Sequence, residues 1–172
     1  VLMYKIAFLD RDGVINKNDI QNGYIGKIEN FKLISGAIKA IKYLKELNYK
    51  VIIVSNQSGV ARGFFKISDV YKIHKHLQKI LSNNNSRLDK ILFCPFHEDG
   101  IIKKYKKKSI LRKPNNGMFK VINSKWKVDR KKSFMIGDQY TDMQFAKKSK
   151  IKGFLFNKKN LYKFIKSKKF IE

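Results

Sequence analysis

At 172 residues, with 43% hydrophobic and 13% aromatic side chains, the chain supports one packed core and is too apolar for general disorder. Lys and Arg total 39 against 13 Asp and Glu, a formal net charge of +26 that attracts polyanions of every kind. Only Arg11, Arg62, Arg87, Arg112 and Arg130 are arginine, whereas base-edge and bidentate phosphate readout favour arginine. The scattered lysines therefore read as solvated faces, against a dedicated nucleic-acid surface.

Residues 4–9 (YKIAFL) form a short apolar run ending at Asp10, the pattern of a buried parallel strand. Residues 11–31 lack a period and are rich in Asp, Asn and Gly, which predicts a loop with room for a small hairpin. Ser35 is placed to cap a helix reaching about residue 48. Residues 51–54 (VIIV) predict a second buried strand, ended by the polar turn at residues 55–59. A second helix is expected from Ser68, with Val70, Tyr71, Ile73, Leu77, Ile80 and Leu81 at helical spacing. Asn83–Ser86 breaks it, and residues 91–93 form a third strand. Residues 94–116 read as a long loop, mostly lysine over 103–108, of the kind that is usually functional. Then come a helix at 118–126, a strand at 133–136, a helix from about Thr141 and a strand at 151–156. A basic amphipathic helix from Asn160 is expected to pack on the domain rather than on a membrane.

This alternation defines an α/β fold: a Rossmann-like, mostly parallel sheet with helices on both faces, spanning residues 1–172 as a single domain. No repeat or linker interrupts it. Cys94 is the single cysteine, so no internal disulfide forms and a reducing compartment is expected. The first ten residues lack a leader pattern and no stretch is long enough to span a bilayer. A cytoplasmic monomer without membrane association is expected.

In such sheets ligands bind beyond the carboxyl ends of the strands. Asp10 and Asp12 follow the first strand, and paired carboxylates there are costly unless they meet a cation or do chemistry. Ser55, Asn56 and Gln57 follow the second, in a glycine-bearing turn that suits an anion. Asp138 follows the fourth, with Asp142 one helical turn later, and the long loop supplies Arg112 and Lys113. Each piece has a plainer reading: a turn, a helix cap at Thr141 or Asp142, surface charge. Their coincidence at strand ends points instead to phosphoryl transfer around magnesium.

With these residues set out, the chain resembles the haloacid dehalogenase superfamily of aspartate-nucleophile phosphatases over residues 8–156. The strings FLDRDGVIN (8–16), SNQSGVARG (55–63), RKPNNGM (112–118) and IGDQYTDMQ (136–144) resemble its heptose-bisphosphate phosphatase branch. The sister histidinol-phosphate phosphatases share only part of these strings.

The resemblance implies a Mg2+-dependent phosphatase that removes the 7-phosphate of a heptose 1,7-bisphosphate, in nucleotide-heptose precursor synthesis. Asp10 would be the nucleophile and Asp12 the general acid and base. Asp10, Asp138 and the Asp12 carbonyl would hold Mg2+. Ser55, Asn56 and Gln57 would bind phosphate with Lys113, Arg112 would meet the remote part of the substrate, and Asp142 would orient Lys113 or the metal shell. No separate cap domain is implied. Relatives carry a zinc in the long loop, but of its ligands only Cys94 aligns, beside Phe96 and His97. One thiolate and one imidazole cannot fill a tetrahedral site, so no structural zinc is expected. Two competitors are a polynucleotide 3′-phosphatase, favoured by charge alone, and a degenerate binding protein, disfavoured by the intact carboxylates.

Overall fold

The computed structural model describes residues 1–19 and 23–172. Five strands, β1 (Ile6–Leu9), β2 (Lys50–Asn56), β3 (Lys90–Cys94), β4 (Phe134–Gly137) and β5 (Lys152–Leu155), pair in the order β3-β2-β1-β4-β5. All four pairings are parallel. Parallel neighbours need crossover connections, and the helices α1 (Ala37–Glu46), α2 (Ile67–Asn83), α3 (Gly117–Lys125) and α4 (Tyr140–Lys148) supply them. The last helix, α5 (Leu161–Lys166), follows β5 and docks against α1.

Side chains alternate across the sheet, so its two faces carry different cores. Ala7, Leu9, Val51, Ile53, Phe134 and Ile136 pack with Ile41 and Leu44 of α1, Ile73 and Leu77 of α2, and Phe164 of α5. Ile6, Phe8, Ile52, Val54 and Met135 face Phe119 and Ile122 of α3 and Phe145 of α4. Strands buried on both faces explain the unbroken apolar runs of the sequence.

Element boundaries depart from the sequence reading where backbone conformation overrides the obvious capping residue. The N-cap of α1 is Gly36, not Ser35, in the left-handed region at φ 79°; a Cβ there would collide with the Asn160 side chain. Helix α2 begins at Ile67 rather than Ser68, because Asp69 Oδ2 accepts from Lys66 N at 2.8 Å. Ser55 and Asn56, expected in a turn, belong to β2, where they pair with Phe93 and Cys94. The hairpin expected within 11–31 falls partly on residues 20–22, outside the described residues. Among the described residues, that region holds isolated bridges Asp12–Asn16 and Asn16–Leu33 and a 3₁₀ turn, Ile28–Asn30.

The long loop contains one 3₁₀ turn, Lys103–Tyr105, and is fastened without regular structure. Ile101 N and Ile102 N both donate to Ala61 O, at 2.8 and 3.0 Å, and His97 N donates to Tyr105 O at 3.2 Å. Phe96 packs against Tyr105 with ring centroids 6.1 Å apart, and Lys107 Nζ lies 4.2 Å over the Phe96 ring. No helix among the described residues is long and apolar enough to cross a membrane.

Phe8 links sheet to helices through the rings of Phe119 and Phe145, at 5.5 and 6.1 Å. Phe8→Ala is expected to destabilise the protein by about 3–5 kcal/mol, measured by urea unfolding.

Candidate active site

The strand order reverses between β1 and β4, and the loops leaving those strands diverge to open a crevice. Asp10 follows β1 there, tied to the neighbouring strand by Asp10 N donating to Ile136 O at 3.0 Å. Asp138 follows β4. Gly13 turns the chain away at φ 88°, and a Cβ at that position would collide with the Asp138 carboxylate. Glycine is thus required for the close approach of the two strand ends.

Asp10, Asp138 and Asp142 are the one group of acidic, His or Cys side chains, among the described residues, close enough to share a cation; their oxygens lie within 4.8 Å of one another. Lys113 enters this group from the long loop. Its Nζ lies 3.0 Å from Asp10 Oδ1 and 2.6 Å from Asp142 Oδ1, with the lysine side chain 2% exposed. Asp142 Oδ2 accepts from Gln139 N at 3.1 Å, so this carboxylate caps α4 and holds Lys113 together, joining two roles the sequence left separate. The Lys113 backbone is fixed from below by Asn56, whose Oδ1 accepts from Lys113 N at 2.9 Å and whose Nδ2 donates to Lys113 O at 3.0 Å.

Burial pushes the Asp10 pKa up to about 7, against the pull of Lys113; Asp142 and Asp12 push the same way as burial. Asp138 is also raised, first by burial and then by Asp142. For Lys113, burial works downward, but Asp10 and Asp142 outweigh it and the net direction is upward. The donor set fits a hard divalent cation. Among the described residues Asp138 Oδ1 is buried without a hydrogen-bond partner, while its other oxygen accepts from Asn18 Nδ2 at 3.3 Å. A bare buried carboxylate oxygen is costly unless a cation meets it.

Asp12 stands apart from this cluster. Its Oδ1 accepts from Arg11 Nε and Nη2, at 3.2 and 2.9 Å, and from Asn16 Nδ2 at 2.8 Å; Oδ2 accepts from Gln57 Nε2 at 3.0 Å. Gln57 also donates to Ser55 Oγ at 2.8 Å. Ser55 is fully buried, and its hydroxyl supports Gln57. Asp10, Asp12, Asn56, Ser58, Arg112 and Lys113 line a cavity of about 270 Å³, with Tyr24, Gln139 and Thr141 also on its wall. Arg112 reaches a neighbouring cavity of about 390 Å³, shared with Lys107 and Lys108, and its Nη1 is buried without a partner.

Cys94 and His97 lie outside the acidic cluster. Cys94 Sγ donates to Phe96 O at 3.8 Å, and His97 uses Nδ1 to accept from Asp99 N at 3.0 Å while Nε2 lies 3.2 Å from Arg62 Nη2. The sequence reading assigned no role to Asn16, Asn18, Tyr24, Ser58 or Arg11. Asn16 and Arg11 lie inside the first motif string and Ser58 inside the second; Asn18 and Tyr24 carry no pattern that separates them from loop residues.

This fold and carboxylate site define a phosphatase of the haloacid dehalogenase class. The profile of the family described as "Polynucleotide kinase 3 phosphatase" matches residues 5–160. A D-glycero-beta-D-manno-heptose-1,7-bisphosphate 7-phosphatase from Rhodopseudomonas palustris is 41% identical over 160 residues, covering 93% of this chain and 87% of the relative. Among solved structures, a haloacid dehalogenase-like phosphatase from Mesorhizobium loti superimposes with a TM-score of 0.81 at 30% identity, covering 89% of this chain and 72% of that one. The D,D-heptose 1,7-bisphosphate phosphatase from B. bronchiseptica, solved with magnesium and phosphate, gives 0.80 at 27% identity, covering 96% and 87%. The chain belongs to this phosphatase family, in the branch of the heptose-1,7-bisphosphate 7-phosphatases.

Two expectations follow from the buried charges. A carboxyl whose folded pKa lies above its ordinary value of 3.8 favours the folded state when protonated. For Asp10 that stabilisation is complete below about 3.8 and is lost as pH rises through about 7. The melting temperature without divalent cations is therefore expected to fall over this window, and magnesium chloride is expected to raise it more at pH 8 than at pH 5. Lys113→Met strips both carboxylates of their buried partner. It is expected to cost about 3–5 kcal/mol in urea unfolding at pH 8 without added metal.

Proposed function

We propose that this chain is a magnesium-dependent phosphatase that removes the 7-phosphate of a D-glycero-D-manno-heptose 1,7-bisphosphate through an aspartyl phosphate on Asp10. The observation that carries the reading is the setting of Asp10: a buried carboxylate at the cavity floor, 3.0 Å from Lys113 Nζ and grouped with Asp138. The 41% identity to the R. palustris relative supplies the substrate class.

Asp10, Asp138 and the Asp12 backbone carbonyl would hold Mg2+, which when bound neutralises phosphate charge and orients it for in-line attack. The side chains then do the following. An Asp10 oxygen attacks phosphorus and the bond from phosphorus to the sugar oxygen breaks. Asp12 gives its proton to that departing oxygen. Its Oδ1 is occupied by three donors, which leaves Oδ2, met among the described residues by Gln57, to carry the proton. Asp12 next takes a proton from water, the water oxygen bonds to phosphorus, and the bond to Asp10 breaks to release phosphate. Lys113 and the Asn56 backbone neutralise and hold the transferring group throughout. Arg112, with Nη1 buried and without a hydrogen-bond partner among the described residues, meets the substrate's remote phosphate, and Lys107 and Lys108 border the same space.

The +26 charge and the description of the matched family favour a second reading, hydrolysis of 3′-phosphorylated nucleic-acid ends. Phosphate release over both heptose 1,7-bisphosphate anomers, histidinol phosphate and a 3′-phosphorylated oligonucleotide, with magnesium or EDTA, separates the two. The expected result is magnesium-dependent preference for one heptose anomer, abolished in Asp10→Asn by about a thousandfold or more. Oligonucleotide preference with a steep salt dependence would instead select the second reading.

A further inference from the structure

His74 sits on α2, outside the cavity, and no step above uses it. The imidazole is buried, packs against Phe93 at 5.5 Å between ring centroids, and places Nε2 3.2 Å from Arg11 Nη1. A guanidinium only donates, so Nε2 accepts and the neutral ring carries its proton on Nδ1. Burial, then the charge of Arg11, hold the His74 pKa down to about 3, so the acceptor persists at working pH.

Arg11 is itself wholly buried. Its guanidinium is fixed by His74 from α2, by Ile25 O accepting from Nη2 at 3.2 Å, and by the Phe31 ring at 5.9 Å. The remaining edge, Nε and Nη2, closes on Asp12 Oδ1. A long, rotamer-rich side chain in water would lose this alignment; here three separate segments hold its plane.

We infer that His74 is a positioning residue for Asp12, acting through Arg11 to aim the Asp12 carboxyl at the departing oxygen. The inference rests on the reading of Asp12 as the proton donor. A buried histidine serving packing alone would show the same contacts, but it would not discriminate between leaving groups. A poor leaving group such as a sugar alkoxide needs the proton; p-nitrophenolate leaves without it.

The test compares kcat on heptose 1,7-bisphosphate with the first-turnover release of p-nitrophenolate from p-nitrophenyl phosphate. His74→Leu is expected to lower kcat on the sugar phosphate by about tenfold or more, with KM changed by less than about twofold, and to leave the p-nitrophenolate burst within about threefold of the parent. His74→Gln, which keeps an acceptor for Arg11, is expected to recover most of the loss. Equal losses on both substrates, or equal losses in the Leu and Gln variants, overturn the assignment and leave a packing residue. Asp12→Asn, measured alongside, separates the premise from the inference. Should it show no leaving-group discrimination, the proton-donor reading fails and the inference with it. Discrimination in Asp12→Asn but not in His74→Leu refutes the His74 role alone.

Discussion

The site is organised around one buried ammonium. Lys113 lies between Asp10 and Asp142 with 2% of its side chain exposed, and neither carboxylate is tolerable at that depth without it. Three parts of the fold converge to put it there. The long loop carries the residue, Asn56 at the end of β2 grips its backbone on both sides, and Asp142 meets its head while capping α4. Phosphoryl transfer asks mainly for positioning and neutralisation of charge, and a cation fixed from three directions supplies both without reorganising.

A divalent cation held by Asp10 and Asp138 would divide the negative charge with this lysine. Three carboxylates crowd within 4.8 Å, which a single ammonium does not balance; burial first, and then the charge of Asp142, raise the pKa values of Asp10 and Asp138. Asp12, two residues from Asp10, escapes this crowd because Arg11, Asn16 and Gln57 draw it toward a separate polar nest. Carboxylates two positions apart are thus given different surroundings, as the proposed roles of attack and proton transfer require.

Much of this was legible in the chain because strands buried on both faces leave strong apolar runs, and their ends mark where polar residues are exceptional. Asp10, Asp12, Asp138, Arg112 and Lys113 were found that way, and the structure brings all of them to the β1–β4 crevice. Asp142 was read as orienting Lys113 or the metal shell, and its contact with the ammonium is direct. What escaped was set by tertiary geometry. Gly36 displaces Ser35 as a cap because Asn160 occupies the space a side chain would need, and nothing local encodes a neighbour 124 positions away. Ser55 and Gln57 read alike as phosphate ligands, yet their hydroxyl and amide bond each other and Asp12. His74 resembled any polar residue within an amphipathic helix until the fold laid it against Arg11.

The register of β1 has a further consequence. It is the middle strand, hydrogen-bonded to β2 on one side and β4 on the other, with every residue from Ile6 to Leu9 sealed from solvent. The amides of such a strand exchange only when the whole molecule opens. Asp10 follows it directly and shares its hydrogen-bonding to β4, so the backbone of the proposed nucleophile belongs to the slowest-opening unit of the protein. Fraying at β3, β5 or the terminal helix would leave that anchor in place.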